Sequence, residues 1–145
     1  MSAADELEIR GLVARYADAV NRRDPEAWGD TWAEDGTWHV LGQSVSGREP
    51  LVKFWGNAMG FFRWVLQLIH SGEVQIAGDT ARTRFYLSEV GETQGGDRLY
   101  TVGVYEDELR KIDGAWRFQV RRFEPLYQGA PDLSGKVFPP LANPD

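Results

Sequence analysis

The feature that most constrains this chain is a change of apolar period near residue 63. Before it, apolar residues recur at helical spacing, and after it they alternate. From Asp5 to Arg22 the apolar positions are Ile9, Leu12, Val13, Tyr16, Ala17 and Val20, a stripe on one helical face with Glu6, Glu8, Arg10 and Arg15 around it. Asp24-Pro25-Glu26 restarts a helix, because Asp24 suits the N-cap, Pro25 the first helical position and Glu26 the positive end of the dipole. This helix is expected to hold Trp28 and Trp32 on one face and to stop at Asp35-Gly36. A short strand, Thr37 to Leu41, and a turn, Gly42 to Gly47, should follow. A third helix is expected from Glu49 to Met59, ending at Gly60.

From Arg63 the alternation places Trp64, Leu66, Leu68, His70, Val74 and Ile76 on one face, with Gln67, Ser71, Glu73 and Gln75 on the other. Gly78-Asp79 is a hairpin signal, and Thr80 to Val90 is the return strand. After a polar loop from Gly91 to Asp97, Leu99–Lys111 and Trp116–Tyr127 form a second hairpin around Asp113-Gly114, a type I′ dipeptide. Residues 128–145, with Pro131, Pro139, Pro140 and Pro144, read as an extended tail anchored by Phe138. The order predicts one α+β domain over residues 1–127: about three N-terminal helices on a curved, mostly antiparallel sheet, together enclosing an apolar pocket.

Composition narrows the function classes. A net charge of −6 with no Lys/Arg stripe argues against nucleic acid or an anionic membrane as partner. Without cysteine there is no disulfide, thiolate nucleophile or thiolate metal cluster, and no other ligand cluster for a metal stands out. No apolar run reaches the length of a membrane span, and the acidic start Met1–Glu6 is unlike a secretory signal, so a cytoplasmic location is expected. Aromatic residues make up 12% of the chain, which means either a core of large rings or a ring-walled cavity. The residues assigned to a cavity wall are Trp28, Trp32, Trp38 and Val40 from the first half, then Phe54, Trp55, Met59 and Phe62. Leu68, Phe85 and Leu87 complete it from the strands.

Two histidines are available for chemistry. His39 reads as rim or surface. His70 shares its face with apolar residues, so it is either a satisfied structural side chain or a general base. If Gly78-Asp79 is the turn, His70 lies opposite Leu87 and Leu68 opposite Glu89. Glu89 is then diagonal to His70 at roughly 7–8 Å, either orienting it or solvated at the strand end. Asn21 lies at the edge of the buried face of the first helix, about 120° from Ile9, whereas Asp18 lies opposite that face, near 180°. Asn21 can therefore point into the end of a cavity or cap the helix. Tyr16 sits within the stripe. Arg121 and Arg122 face opposite ways, and with Asp113-Gly114 as the turn Arg121 faces Glu106. That predicts either a cross-strand ion pair or an arginine stabilising an anionic intermediate.

The segments Leu12–Val20, Asn21–Trp28 and Trp32–Trp38, with Ile69-His70-Ser71-Gly72 and Asp113–Phe118, resemble the SnoaL-like family. That family shares the cone-shaped α+β fold of scytalone dehydratase, ketosteroid isomerase and nuclear transport factor two, in a branch with hexachlorocyclohexane dehydrochlorinase and bile-acid dehydratase. The resemblance implies a histidine base at His70, a tyrosine at Tyr16 and a last-strand arginine at Arg121. The helix-end aspartate of these enzymes is replaced by Asn21, which can orient an imidazole but not stabilise its cation by charge. The resemblance thus implies a cofactor-independent lyase or isomerase, dehydratase- or cyclase-like, using a histidine base on a small apolar, cyclic substrate. The alternative is a non-catalytic small-molecule-binding or accessory protein. A homodimer or homotrimer is also implied.

Overall fold

A computed structural model describes residues 2–132, 135–137 and 139. Phe138, Pro140 and Pro144 of the expected tail lie outside the described residues. Helix α1 (Ala3–Arg22) buries the whole stripe that the spacing defines, from Ile9 to Val20. The Ser2 hydroxyl accepts from the Ala4 and Asp5 N–H groups at its start, and Arg23, in the left-handed region, closes its end. Helix α2 (Pro25–Asp30) begins as expected, the Asp24 carboxylate accepting from the Ala27 N–H at 3.0 Å. It does not reach Asp35-Gly36.

Trp32 instead opens a strand, β1 (Trp32–Val40). The cause is tertiary. Trp32 pairs with Phe118 of a later strand, and the Thr31 carbonyl accepts from the Phe118 N–H at 2.9 Å. Asp35-Gly36 falls in a register shift within β1, where a Cβ on Gly36 would lie 2.9 Å from the Trp32 ring. Trp28 and Trp32 still meet, with ring centroids 5.7 Å apart, but across an α2–β1 junction and not along a helix. Most of the expected Gly42–Gly47 turn is a strand, β2 (Gln43–Ser46), joined to β1 by Leu41-Gly42, both at positive φ. Helix α3 (Arg48–Met59) follows.

Four long strands complete the domain: β3 (Phe62–Ala77), β4 (Thr80–Thr93), β5 (Arg98–Ile112) and β6 (Ala115–Gly129). The sheet runs β2-β1-β6-β5-β4-β3, and a short β7 (Lys136–Val137) pairs with Tyr127 and Gln128 of β6. Only β1 and β6 run parallel among the described pairs. This is the expected α+β architecture: helices on one face of a curved, open, mostly antiparallel sheet.

A bulge in β3 overturns the expected facing of its first half. From Ala77↔Thr80 to Gly72↔Phe85 the pairing is the one the turn dictates. Between Gly72 and Ile69 it shifts by one residue, so Leu87 faces Ile69 and not His70, while Glu89 faces Gln67 and not Leu68. Val65 and Gln67 are consequently buried, and Trp64, Leu66 and Leu68 are exposed on the face away from the helices. Gly72 permits this approach, since a Cβ there would sit 2.2 Å from the Arg84 carbonyl and 2.7 Å from the Phe85 ring.

A second shift, between Glu108 and Leu109, puts Arg121 opposite Asp107 and Arg122 opposite Glu106, correcting the expected Arg121–Glu106 pair. Arg121 is the inward arginine and is fully buried. Its Nε donates to Asp107 Oδ1 at 2.9 Å, and the Thr83 hydroxyl donates to Asp107 Oδ2 at 3.0 Å. The guanidinium carbon lies 3.6 Å from the Tyr105 ring centroid, 4.1 Å from Phe118 and 4.2 Å from Tyr16. Burial alone would depress the Arg121 pKa, but the Asp107 carboxylate, with Tyr16 and Tyr105, holds the group above its ordinary value. Asp107→Ala strands this cation without a counter-charge and should destabilise the fold by about 3–5 kcal/mol. Urea unfolding measures the loss, and a change below about 1 kcal/mol would contradict it.

Candidate functional site

A cavity of about 200 Å³ lies between α1, α3 and the helix-covered face of the sheet. Of the larger depressions, one runs along Gln75–Arg82 with Glu108, Arg110 and Gln119 beside it, and another, around Glu73, Glu106 and Arg122, is lined mostly by charged side chains. The smaller cavity has the character of a small-molecule site: an apolar wall and a few convergent polar groups. Trp38 and Val40 come from β1, Phe54, Trp55 and Met59 from α3, Phe62 from β3 and Tyr16 from α1. Leu41 is 68% exposed while lining the cavity, which marks the mouth.

The polar end of the cavity is built by neighbouring strands. Gln67 of β3 and Glu89 of β4 are cross-strand partners, and Tyr105 and Thr101 come from β5. Gln67 Nε2 donates to Glu89 Oε2 at 3.0 Å and to the Tyr105 hydroxyl at 3.1 Å. Burial pushes the Glu89 carboxyl above the ordinary glutamate pKa, and the Gln67 N–H opposes the shift. Burial likewise raises the phenol of Tyr16, and it pushes that of Tyr105 well up, so both stay neutral at physiological pH. The arrangement is a carboxyl with a raised pKa in an aromatic chamber, joined through Gln67 to the neutral Tyr105 phenol.

The structure separates the sequence-derived residues into three places. Tyr16, Glu89, Trp38, Val40, Phe54, Trp55, Met59 and Phe62 line the cavity. Trp28, Trp32, Phe85 and Leu87 are buried core residues that do not line it. Trp28 stacks on Trp55 at 4.9 Å between centroids, so it supports the wall from behind. His70 and Leu68 are on the opposite face of the sheet, where His70 Nε2 lies 2.9 Å from the Ser88 hydroxyl. The expectation of an inward His70 beside Glu89 is therefore corrected, and the bulge at Gly72 is the reason. Arg121 is sealed behind Tyr105 and committed to Asp107.

Asn21 does not point into the cavity either. Its Nδ2 donates to the Gln67 carbonyl at 2.9 Å, and the Gln67 N–H donates to its Oδ1 at 2.6 Å. The residues that periodicity missed are Gln67, Thr101 and Tyr105. An uninterrupted alternation places Gln67 outward, and the available signal against that is a glycine inside an otherwise regular strand, Gly72. Among the described residues, no group of three His, Asp or Glu side chains is placed to hold a metal ion.

A family model described as SnoaL-like domain matches residues 1–122. No curated protein matches the chain. A solved structure of a function-unknown protein from Mycobacterium tuberculosis is 29% identical with a TM-score of 0.77, covering 86% of this chain and 77% of that one. A hexachlorocyclohexane dehydrochlorinase, LinA type 2, is 19% identical with a TM-score of 0.83, covering 94% of each chain. A protein from Novosphingobium aromaticivorans, provisionally described as a scytalone dehydratase, is 17% identical with a TM-score of 0.82, covering 98% of this chain and 96% of that one. The last two likenesses establish the fold alone.

Two outcomes follow from the geometry. Asn21→Asp sets a carboxylate oxygen against the Gln67 carbonyl, which is 2.9 Å from the present donor, and should lower stability by about 1–3 kcal/mol. An unchanged melting temperature at pH 7 would contradict the clamp. For Glu89, the folded pKa lies above the unfolded one, so the folded state binds this proton more tightly. Its contribution to stability is complete below the unfolded glutamate range and is lost as pH rises through the folded pKa. Glu89→Gln should therefore gain stability relative to the parent between pH 4 and pH 8. Urea midpoints of both proteins that move in parallel across this range would rule out the shift.

Proposed function

The chain belongs to the SnoaL-like domain family, and from that premise we propose that it is a cofactor-independent enzyme of the lyase or isomerase type, moving a proton on a small apolar, cyclic substrate with Glu89 as the acid–base group. The observation that carries this reading is a carboxyl held in an aromatic cavity, its pKa raised by burial and one oxygen oriented by Gln67. A volume of about 200 Å³ is below that of sites for drug-sized ligands, which suits a substrate of one ring.

In the elimination this site would support, the Glu89 carboxylate takes a proton from a ring carbon. The C–H electron pair becomes the new double bond as the leaving group departs from the adjacent carbon with its own pair. The protonated Glu89 then gives its proton to the departed group or to water. In an isomerisation the same proton returns to a different carbon. Neither sequence needs an electron carrier. Tyr105, neutral and linked to the carboxyl through Gln67, and Tyr16, neutral in the same cavity wall, would supply O–H groups where negative charge develops. Solved structures that share the fold include one named a dehydrochlorinase and one provisionally described as a scytalone dehydratase, and both names denote eliminations.

A second reading is a binding or accessory protein. It is favoured by Asn21, whose amide is spent on the Gln67 backbone, and by the absence of an imidazole from the cavity wall among the described residues. The two readings separate experimentally. Ring-bearing alcohols, ketones and halides are screened by quenching of Trp38 and Trp55, which line the cavity, and the hits are assayed for turnover. Glu89→Gln should retain binding and lose about 10²–10⁴-fold in rate. His70→Ala should leave both unchanged. The parent's rate should follow one carboxyl titrating above the ordinary glutamate range. Undiminished turnover in Glu89→Gln would overturn the enzymatic mechanism, and binding with no turnover in the parent would establish the binding reading.

A further inference from the structure

We propose that Thr101, with Gln128 beside it, holds a carbonyl or hydroxyl oxygen of the ligand, so that the molecule bound in this cavity is an oxygen-bearing ring and not a plain hydrocarbon. The proposal rests on the cavity being a ligand site, as argued above, but it does not depend on turnover. The side chains concerned form one row across the sheet. Gln67 faces Glu89, Glu89 faces Thr101 and Thr101 faces Gln128, so β3, β4, β5 and β6 each give one polar residue to the same level of the wall. A register shift between Val102 and Gly103 brings Gln128 into this row.

The members of the row are not equally open to a ligand. Gln67 is spent, since its N–H bonds go to Glu89 and Tyr105 and its Oε1 is sealed. Glu89 is the acid–base group of the mechanism above. Thr101 is only 4% exposed, yet its hydroxyl bonds to no described residue and is not among the sealed oxygens. What access it keeps is to the cavity that it lines. The half-buried amide of Gln128 also lines the cavity without a hydrogen bond to any described residue. A hydroxyl in a buried wall is costly without a partner, which favours a polar atom there over a hydrocarbon edge.

Charge decides the kind of polar atom. Among the described residues the cavity wall contains no Lys or Arg, and Arg121 is committed to Asp107 behind Tyr105. An anionic substituent would meet Glu89 with no counter-charge. The Thr101 O–H and the Gln128 NH₂ are neutral donors, which suit a neutral oxygen. Neighbouring strands lie about 4.8 Å apart, comparable with the width of a six-membered ring. A ring whose oxygen is held at Thr101 and Gln128 can therefore present another of its carbons to Glu89.

The test compares cyclohexanone with methylenecyclohexane, which has the same shape and no oxygen, in binding to the whole chain at pH 7 by isothermal titration. Thr101→Val keeps the side-chain shape and removes the hydroxyl. It should weaken cyclohexanone about three- to tenfold, the value of one net hydrogen bond, and leave methylenecyclohexane within about twofold. Thr101→Ser should bind cyclohexanone as the parent does. Placed in Glu89→Gln, Thr101→Val should cause the same loss, which separates the threonine from the carboxyl as the group holding the oxygen. Ketone binding unchanged in Thr101→Val, or a loss that vanishes in the Glu89→Gln background, overturns the proposal. A variant-free check is the infrared carbonyl stretch of cyclohexanone bound to the parent, which should fall below its frequency in a hydrocarbon solvent. An unshifted stretch also overturns the proposal. In each of these failures the acid–base mechanism stands, because that is judged by Glu89→Gln turnover. Binding of neither probe by the parent removes both the proposal and its premise for ligands of one ring.

Discussion

Asn21 joins the end of α1 to the middle of β3 through both halves of one amide, donating to the Gln67 carbonyl and accepting from the Gln67 N–H. Among the described residues β3 is the last strand of an open sheet, with β4 on one side and no strand on the other. An edge strand leaves backbone groups unpaired, and at Gln67 the asparagine satisfies both of them as a neighbouring strand would. The helix and the sheet edge are thereby fixed relative to each other at the residue whose side chain turns into the cavity. Gln67 then orients Glu89 and reaches Tyr105. The polar end of the chamber depends on this clamp.

The charges inside the domain are divided so that one carboxyl is neutralised and the other is not. Asp107 receives Arg121 and the Thr83 hydroxyl, and the guanidinium is enclosed by the rings of Tyr16, Tyr105 and Phe118. Glu89 receives an amide N–H, a dipole too weak to offset burial. Burial raises the Asp107 carboxyl pKa as well, while Arg121 and the Thr83 hydroxyl oppose the rise. The second bulge, between Glu108 and Leu109, sets Arg121 opposite the inward Asp107 in place of Glu106. Tyr105 forms the partition, with the cation against its ring and its hydroxyl in the cavity network.

Local chemistry was readable in the sequence wherever a single side chain decides the outcome. Asp24 and Pro25 start α2, Gly78-Asp79 and Asp113-Gly114 close their hairpins, and the stripe of α1 is buried as spaced. Inward facing along β4 was also legible, since Ala81, Thr83, Phe85 and Leu87 are all buried. What alternation could not supply was the phase of β3 beyond Gly72. Trp64, Leu66 and Leu68 look like core and are exposed, while Val65 and Gln67 look less so and are buried. Both faces of that segment carry large apolar residues, so hydrophobicity does not choose between them. The choice is made by backbone proximity at Gly72, a contact between strands that no single-strand pattern encodes. Trp32 failed for a related reason: its pairing with Phe118 lies across most of the chain.

The same geometry explains why the helix-end residue is an amide and why the nearby histidine is not inward, as two sides of one arrangement. A carboxylate at position 21 would be of use beside an imidazolium, whose charge it could balance. With Gln67 at the inward position there is no such cation, and a carboxylate could accept from the Gln67 N–H but could not donate to its carbonyl. Asparagine does both. Conversely, once position 21 is neutral, an imidazole buried in this chamber would have no charge partner on α1 and would be held in its uncharged form by burial. In the mechanism proposed above, proton exchange falls to the group that burial favours in the protonated state. In this cavity that group is the Glu89 carboxyl, which reaches it from the neighbouring strand with its orientation set by the amide that Asn21 secures.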